Sequence, residues 1–144
     1  MTAVLDCLET PVTIITAAHG GQSNGMTAAW VTQVSFSPTL LVVSIAPERF
    51  THNLIVCAKA FAVNVLRQGQ ESIAKDLGTR SGQGGDKLAA YKLRNSRTGS
   101  PLLLDAGAFY DCRLVKETTA GDHTLFIGEV VDAGILQGGP FLPF

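Results

Sequence analysis

The chain of 144 residues balances 11 Lys+Arg against 12 Asp+Glu for a formal net charge of −1, and 46% of its residues are hydrophobic against 16% charged. With no run of like charge, nothing supports counterion release from a nucleic acid or adsorption to an anionic membrane, and no apolar stretch approaches bilayer length. The composition is that of one strand-rich domain spanning residues 1–144, and so little charge leaves apolar surface for a second copy, so a homodimer is expected.

Val12 to Ala17 is β-branched and runs into the turn-rich HGGQSNG, a strand with a hairpin connection. The returning run Thr27 to Phe36 alternates, and its period of two puts Trp30, Val34 and Phe36 on a face expected to meet the core. Leu40 to Ile45 is a short continuous apolar run, the pattern of a strand covered on both faces, and Pro47 ends it. Phe50 to Ala60 has helical spacing, with Leu54, Ala58 and Phe61 on one stripe and Thr51 as the expected N-cap.

Phe61 to Leu66 reads as a strand and Gly69 to Gly78 as a helix carrying Ile73, Ala74 and Leu77. From Gly78 to Ser100 glycines and scattered charges leave little periodicity, which predicts a surface excursion. Pro101 to Leu104, Ala108 to Lys116 and His123 to Ala133 are the remaining strands. Alternation in the second of these sets Tyr110, Cys112 and Leu114 against Asp111, Arg113 and Val115. About seven strands with two short helices predict a mainly β fold, a closed or nearly closed antiparallel barrel.

Cys7, Cys57 and Cys112 show no ligand or framework spacing, so neither disulfide nor zinc is expected and all three read as small buried residues. The N-terminus lacks a basic region followed by an apolar run, so a cytoplasmic location is expected.

Three segments can carry chemistry. Ser44 to Asn53 joins a strand end, a proline turn, Arg49 and Thr51 at a helix start, the donors a phosphate requires; it is equally readable as an ordinary capped helix with a solvated arginine. Asn24 to Trp30 (NGMTAAW) has side chains small enough for a flat ring to approach the backbone, or simply to fit a crowded sheet. In Gly121 to Gly128, Asp122 can orient His123, which titrates near neutral pH, or the two form a surface pair. No serine or cysteine sits in a nucleophile elbow, no metal-ligand spacing involves His19 or His52, and neither GxGxxG nor GxxxxGK[ST] occurs.

The segments PVTIIT, NGMTAAWVTQVSFSP, LLVVSI, PERFTHNLI, FAVNVL, Ser81-Gly82 with Asp86-Lys87, and GDHTLFIGEVV, in this order over nearly the whole chain, resemble the flavin reductase-like family. Trp30 and the Arg-x-Thr-His run from Arg49 to His52 are most similar to its flavoredoxin and ferric-reductase-like members. The resemblance implies a dimeric, FMN-binding split β-barrel, antiparallel and Greek-key-like. It implies a flavin ring against Met26, Thr27, Ala28, Ala29 and Trp30, with Asn24 in the same segment, and an FMN phosphate at Arg49, Thr51 and His52 beside Ser44, Ile45 and Ala46. It places Asp122 and His123 beside the flavin, with His123 the catalytic candidate that takes the nicotinamide. The implied activity is FMN-dependent oxidation of NADH or NADPH with reduction of free flavin, a ferric complex or a partner; the alternative is an FMN-binding electron carrier reduced by another enzyme. Relatives often have Pro-Pro where this chain has Pro38-Thr39 and Ser-Gly-Arg where it has Ser81-Gly82-Gln83, and they commonly continue beyond a segment like GGPFLPF.

Overall fold

The computed structural model describes residues 1–80 and 86–144. Strand β1 (Thr13–His19) turns back into β2 (Gln22–Ala28) through Gly20 and Gly21, whose φ angles of 61° and 80° are those of a two-residue hairpin turn. The chain continues through β3 (Val31–Phe36), β4 (Thr39–Ile45), helix α2 (Phe50–Ala58), β5 (Ala60–Val65) and helix α3 (Glu71–Thr79). The short pair β6 (Leu93–Asn95) and β7 (Pro101–Leu103) precedes the two long strands β8 (Ala108–Ala120) and β9 (His123–Ile135), and a single turn, α1 (Thr2–Leu5), precedes everything.

Seven strands form one antiparallel sheet in the order β2-β1-β5-β8-β9-β4-β3. Its two edge strands, β2 and β3, are consecutive in the chain and separated only by Ala29 and Trp30. A sheet whose opposite edges share a two-residue link must curl almost into a ring, closed at that corner and parted beyond it; the fold is a split β-barrel. The corner is pinned by Val31 N–H donating to the Ala29 carbonyl and Ser44 N–H donating to that of Trp30, both at 3.1 Å.

That corner corrects the reading of Thr27 to Phe36 as one strand. The tight turn resets the alternation and β3 becomes an uncovered edge, so Trp30, Val34 and Phe36 are 58%, 51% and 88% exposed rather than in the core. In β4 only Leu41, Val43 and Ile45 are fully buried, so one face of this strand meets the core and the other is half covered. The pairing of β8 with β9 shifts register twice, with an extra residue at Val131 of β9 opposite Asp111 and Cys112 and another at Val115 of β8, and Asp111 and Cys112 are both buried, against the expected alternation. The interior is filled by Ile15, Val43, Ile45, Ile55, Phe61, Val63 and Phe126.

Helix α2 packs on β1 and β2, and its N-cap is Arg49 with extended φ/ψ, not Thr51, which lies in the first turn and is buried. The helix stops at Ala58 because Lys59 adopts a left-handed φ of 57° and the next residue enters β5. Helix α3 packs against β2; a Cβ on its Gly78 would already be 3.2 Å from Thr27 Oγ1. The excursion from Gly78 to Ser100 contains β6 and buries Lys87 and Leu88, so its described part is folded; Ser81, Gly82 and Gln83 lie outside the described residues. Of the three cysteines only Cys112 is buried, where desolvation pushes its thiol up to about 12.

Candidate functional site

Where the barrel edges part, a cleft of about 920 Å³ opens. One wall is the end of β2 and the corner, Met26 to Trp30; another is Ser44 and Ala46 at the end of β4, with Arg49 at the start of α2 and His123 at the start of β9. Nine residues expected from sequence, scattered over a hundred positions, thus line one cavity because three separate strand ends and one helix start converge on the split. Its volume is at the upper end for a small-molecule site.

Trp30 and His123 stand together at this cleft, ring centroids 4.8 Å apart and planes tilted by 50°. His123 Nδ1 is 2.8 Å from Asp122 Oδ1, and this hydrogen bond holds the Asp122 carboxyl below its ordinary range. The Asp122 side chain itself is in solvent, so it orients the imidazole from outside the cavity. The bond leaves Nε2 as the ring nitrogen that a ligand can meet.

Arg49 brings a guanidinium to the cleft at the point where α2 begins, and it makes no side-chain capping bond to the helix. A helix start combines outward N–H groups with the positive end of the dipole, so an anion fits there. Lys87 adds charge to the same region. It is only 2% exposed, and its Nζ donates to the carbonyls of Leu77 at 2.8 Å and Arg80 at 2.7 Å. Burial, with Arg49 and Arg80 nearby, pushes its ammonium down to about 8. Asp76, the one carboxylate among the described residues that acts on Lys87, is engaged by Arg80 Nε at 2.7 Å and by the Tyr91 hydroxyl. In the sequence Lys87 carries only the resemblance and no site role, since its proximity to Arg49 is a product of tertiary folding.

The remaining expected residues do not line the cavity. Ile45 is fully buried in the core. Asn24 and Thr51 are buried behind the wall, where Asn24 Nδ2 donates to Thr51 Oγ1 at 2.9 Å while Asn24 Oδ1 has no partner among the described residues. His52 Nε2 lies 2.8 Å from Thr124 Oγ1; burial lowers its pKa, with Glu117 and Glu48 acting in the opposite sense. Thr27 lines the cleft, but its hydroxyl donates to the Ala74 carbonyl of α3.

Leu5, Asp6, Leu8, Glu9, Thr10, Pro143 and Phe144 also line the cleft, and sequence reading missed them. They are joined by pairing of the two ends of the chain: Val12 N–H donates to Leu142 and Phe144 N–H to Thr10, at 3.1 and 3.0 Å. Such long-range pairing of irregular segments has no local signature. Among the described residues no helix is long and apolar enough to cross a membrane.

The model of the flavin reductase like domain matches residues 5–142. The reductase component of a 4-nitrophenol 4-monooxygenase/4-nitrocatechol 2-monooxygenase from Rhodococcus opacus is 36% identical over 129 residues, 90% of this chain and 68% of that protein. The solved NADH:FAD oxidoreductase of Streptomyces globisporus C-1027 superposes with a TM-score of 0.88 at 31% identity, covering 95% of this chain and 82% of that one. An FMN-binding protein from Thermus thermophilus, solved with p-hydroxybenzaldehyde, gives 0.83 at 34% identity over 88% of this chain and 72% of that one. Other relatives are longer; the chain spans 46% of a protein from Aeropyrum pernix. With the family model matched over residues 5–142 and the same fold in these solved relatives, the chain belongs to the flavin reductase like domain family.

Proposed function

We propose that the cleft binds FMN and that the protein is an oxidoreductase that passes hydride from NADH or NADPH to the flavin, and from there to free flavin, a ferric complex or a partner protein. The observation that carries this reading is the convergence of a small-residue strand end, an arginine at a helix start and the Trp30–His123 pair on one cavity. The residues fit the group. Ala28 and Ala29 leave space for a flat ring against the backbone of Met26 to Trp30, with Ser44 and Ala46 alongside. Arg49 and the first turn of α2 hold the phosphate, with Lys87 adding positive potential, and Thr51 is set in place by Asn24.

The flavin, when bound, supplies the two-electron acceptor; the chain's residues bind and orient. His123, aimed by Asp122, places the nicotinamide with its Nε2, and Trp30 closes that side of the cleft. The solved relatives include both an FMN-binding protein and an NADH:FAD oxidoreductase, and both flavins carry a phosphate that Arg49 could hold. We further propose a homodimer, because Val34 and Phe36 on the unpaired edge strand β3 are apolar and uncovered.

The test is the visible spectrum of protein loaded with FMN or FAD, followed by anaerobic NADH and then NADPH. Bleaching by either nucleotide alone is expected, and His123→Ala keeps the flavin bands while losing bleaching rate. Bleaching only after addition of a separate reductase replaces the enzyme with an electron carrier; protein that takes up neither flavin overturns the reading.

A further inference from the structure

The first turn of α2 is tied to both walls of the cleft. Through Thr51 Oγ1 it accepts a hydrogen bond from Asn24, two residues before Met26 on β2; through His52 it reaches Thr124, the residue after His123 on β9. Thr124 is itself buried and held in the sheet opposite Ile45 of β4 and Thr119 of β8. Two positions further along β9, on the same face, Phe126 receives the His52 ring edge-on, with centroids 4.9 Å apart and an interplanar angle of 64°. The His52 ring is therefore located by one hydrogen bond and one aromatic contact, both on the strand that begins with His123.

His52 Nδ1 is buried with no partner among the described residues. The tautomer that buries no orphan N–H keeps the proton on Nε2, which donates to Thr124 Oγ1. The His52 side chain is absent from the cleft lining.

We propose that His52 is a positioning residue: acting through Thr124, it fixes the start of β9 and so sets His123 against Trp30, holding the nicotinamide side of the cleft in register with the phosphate side. This rests on the reading that the nicotinamide docks beside His123. The hydrogen bond ties the catalytic candidate to the same helical turn that begins at Arg49, so both ends of the bound pair are aligned by one rigid element.

The test compares His52→Leu and Thr124→Val, which remove the hydrogen bond, with His52→Gln, whose amide reaches the position of Nε2, and with the Leu/Val double variant. In flavin-loaded protein kcat/KM for the nucleotide is expected to fall about five- to tenfold in each single disruption, the worth of one hydrogen bond, with flavin Kd within about twofold of wild type. Gln restores the rate, and the double variant is no slower than either single one. A second readout needs no turnover. Trp30 is the sole tryptophan, and an imidazole against its ring quenches its emission, so the quench in the protein without flavin or nucleotide reports the His123 contact. Its amplitude is expected to drop in the disrupting variants and return with Gln.

An unchanged quench in those variants overturns the proposal, as do single effects that multiply in the double variant or a flavin Kd that weakens in step with the rate. A reduced quench in protein that neither nucleotide bleaches upholds the positioning of His123 and overturns the nicotinamide reading instead.

Discussion

Two buried asparagines show how differently the two sides of this barrel treat a polar group. Asn64, on β5 and fully buried, uses its whole amide: Nδ2 donates to the Ile14 carbonyl at 3.0 Å and Thr16 Oγ1 at 3.3 Å, and Oδ1 accepts from Leu103 N–H at 2.9 Å. Asn24, on β2 behind the cleft, gives one bond to Thr51 and leaves Oδ1 unmatched among the described residues. The same contrast recurs nearby in each region. Asp111, buried in β8, accepts from Ser96 Oγ, Thr98 N–H and Thr98 Oγ1 at 2.9, 2.9 and 2.6 Å, pinning the loop between β6 and β7. His52 leaves a ring nitrogen unmatched among the described residues. A low-dielectric interior rewards completed networks and penalises partial ones, so the completed networks hold the fold; two of the incomplete groups, Asn24 and His52, sit behind the cleft, whereas the third among the described residues, Arg67 Nε, does not belong to a residue that lines it.

The largest break in this contrast is Asn64→Ala, which strands the Leu103 N–H and the Ile14 carbonyl in the core. Unfolding free energy is expected to drop by about 3 kcal/mol in urea titrations, with flavin affinity retained per folded molecule. Asn24→Ala removes a single made bond and an already orphaned oxygen, so the expected loss is about 1 kcal/mol or less in the same titration. If the two variants lose equal stability, the contrast fails.

The cleft side is also expected to show a pH dependence. Lys87 has its pKa lowered by burial to about 8, against an ordinary value of 10.5. Between those values the unfolded state therefore binds more protons, and this group's contribution to stability rises with pH. Cys112 acts oppositely: its thiol is raised to about 12, so its contribution is present below its ordinary value of 9.0 and is lost as pH climbs above it. Comparing wild type with Lys87→Met cancels the cysteine. The wild-type advantage is expected to grow from pH 8 to 10.5, and a flat difference across that range removes Lys87 from the charged cluster.

Local pattern was enough to locate most elements, because β-branched runs, glycine turns and helical spacing are short-range consequences of backbone sterics. Val12 to Ala17, Phe61 to Leu66 and His123 to Ala133 are strands within a residue or two of where the pattern put them. The failures sit where tertiary geometry overrode the period. Trp30, Val34 and Phe36 alternate as core residues do, yet a two-residue corner and an edge position turned them outward.

Of the candidate site, sequence by itself determined which residue types were available: the small strand end, Arg49 and the Asp122-His123 pair. Only the tertiary structure decided which of them share a cavity, moved Asn24, Thr51 and His52 behind its wall, and brought in Lys87 and both ends of the chain. The reason is physical: residue chemistry is written locally, whereas convergence depends on how seven strands curl and where their edges part, and no single segment encodes that.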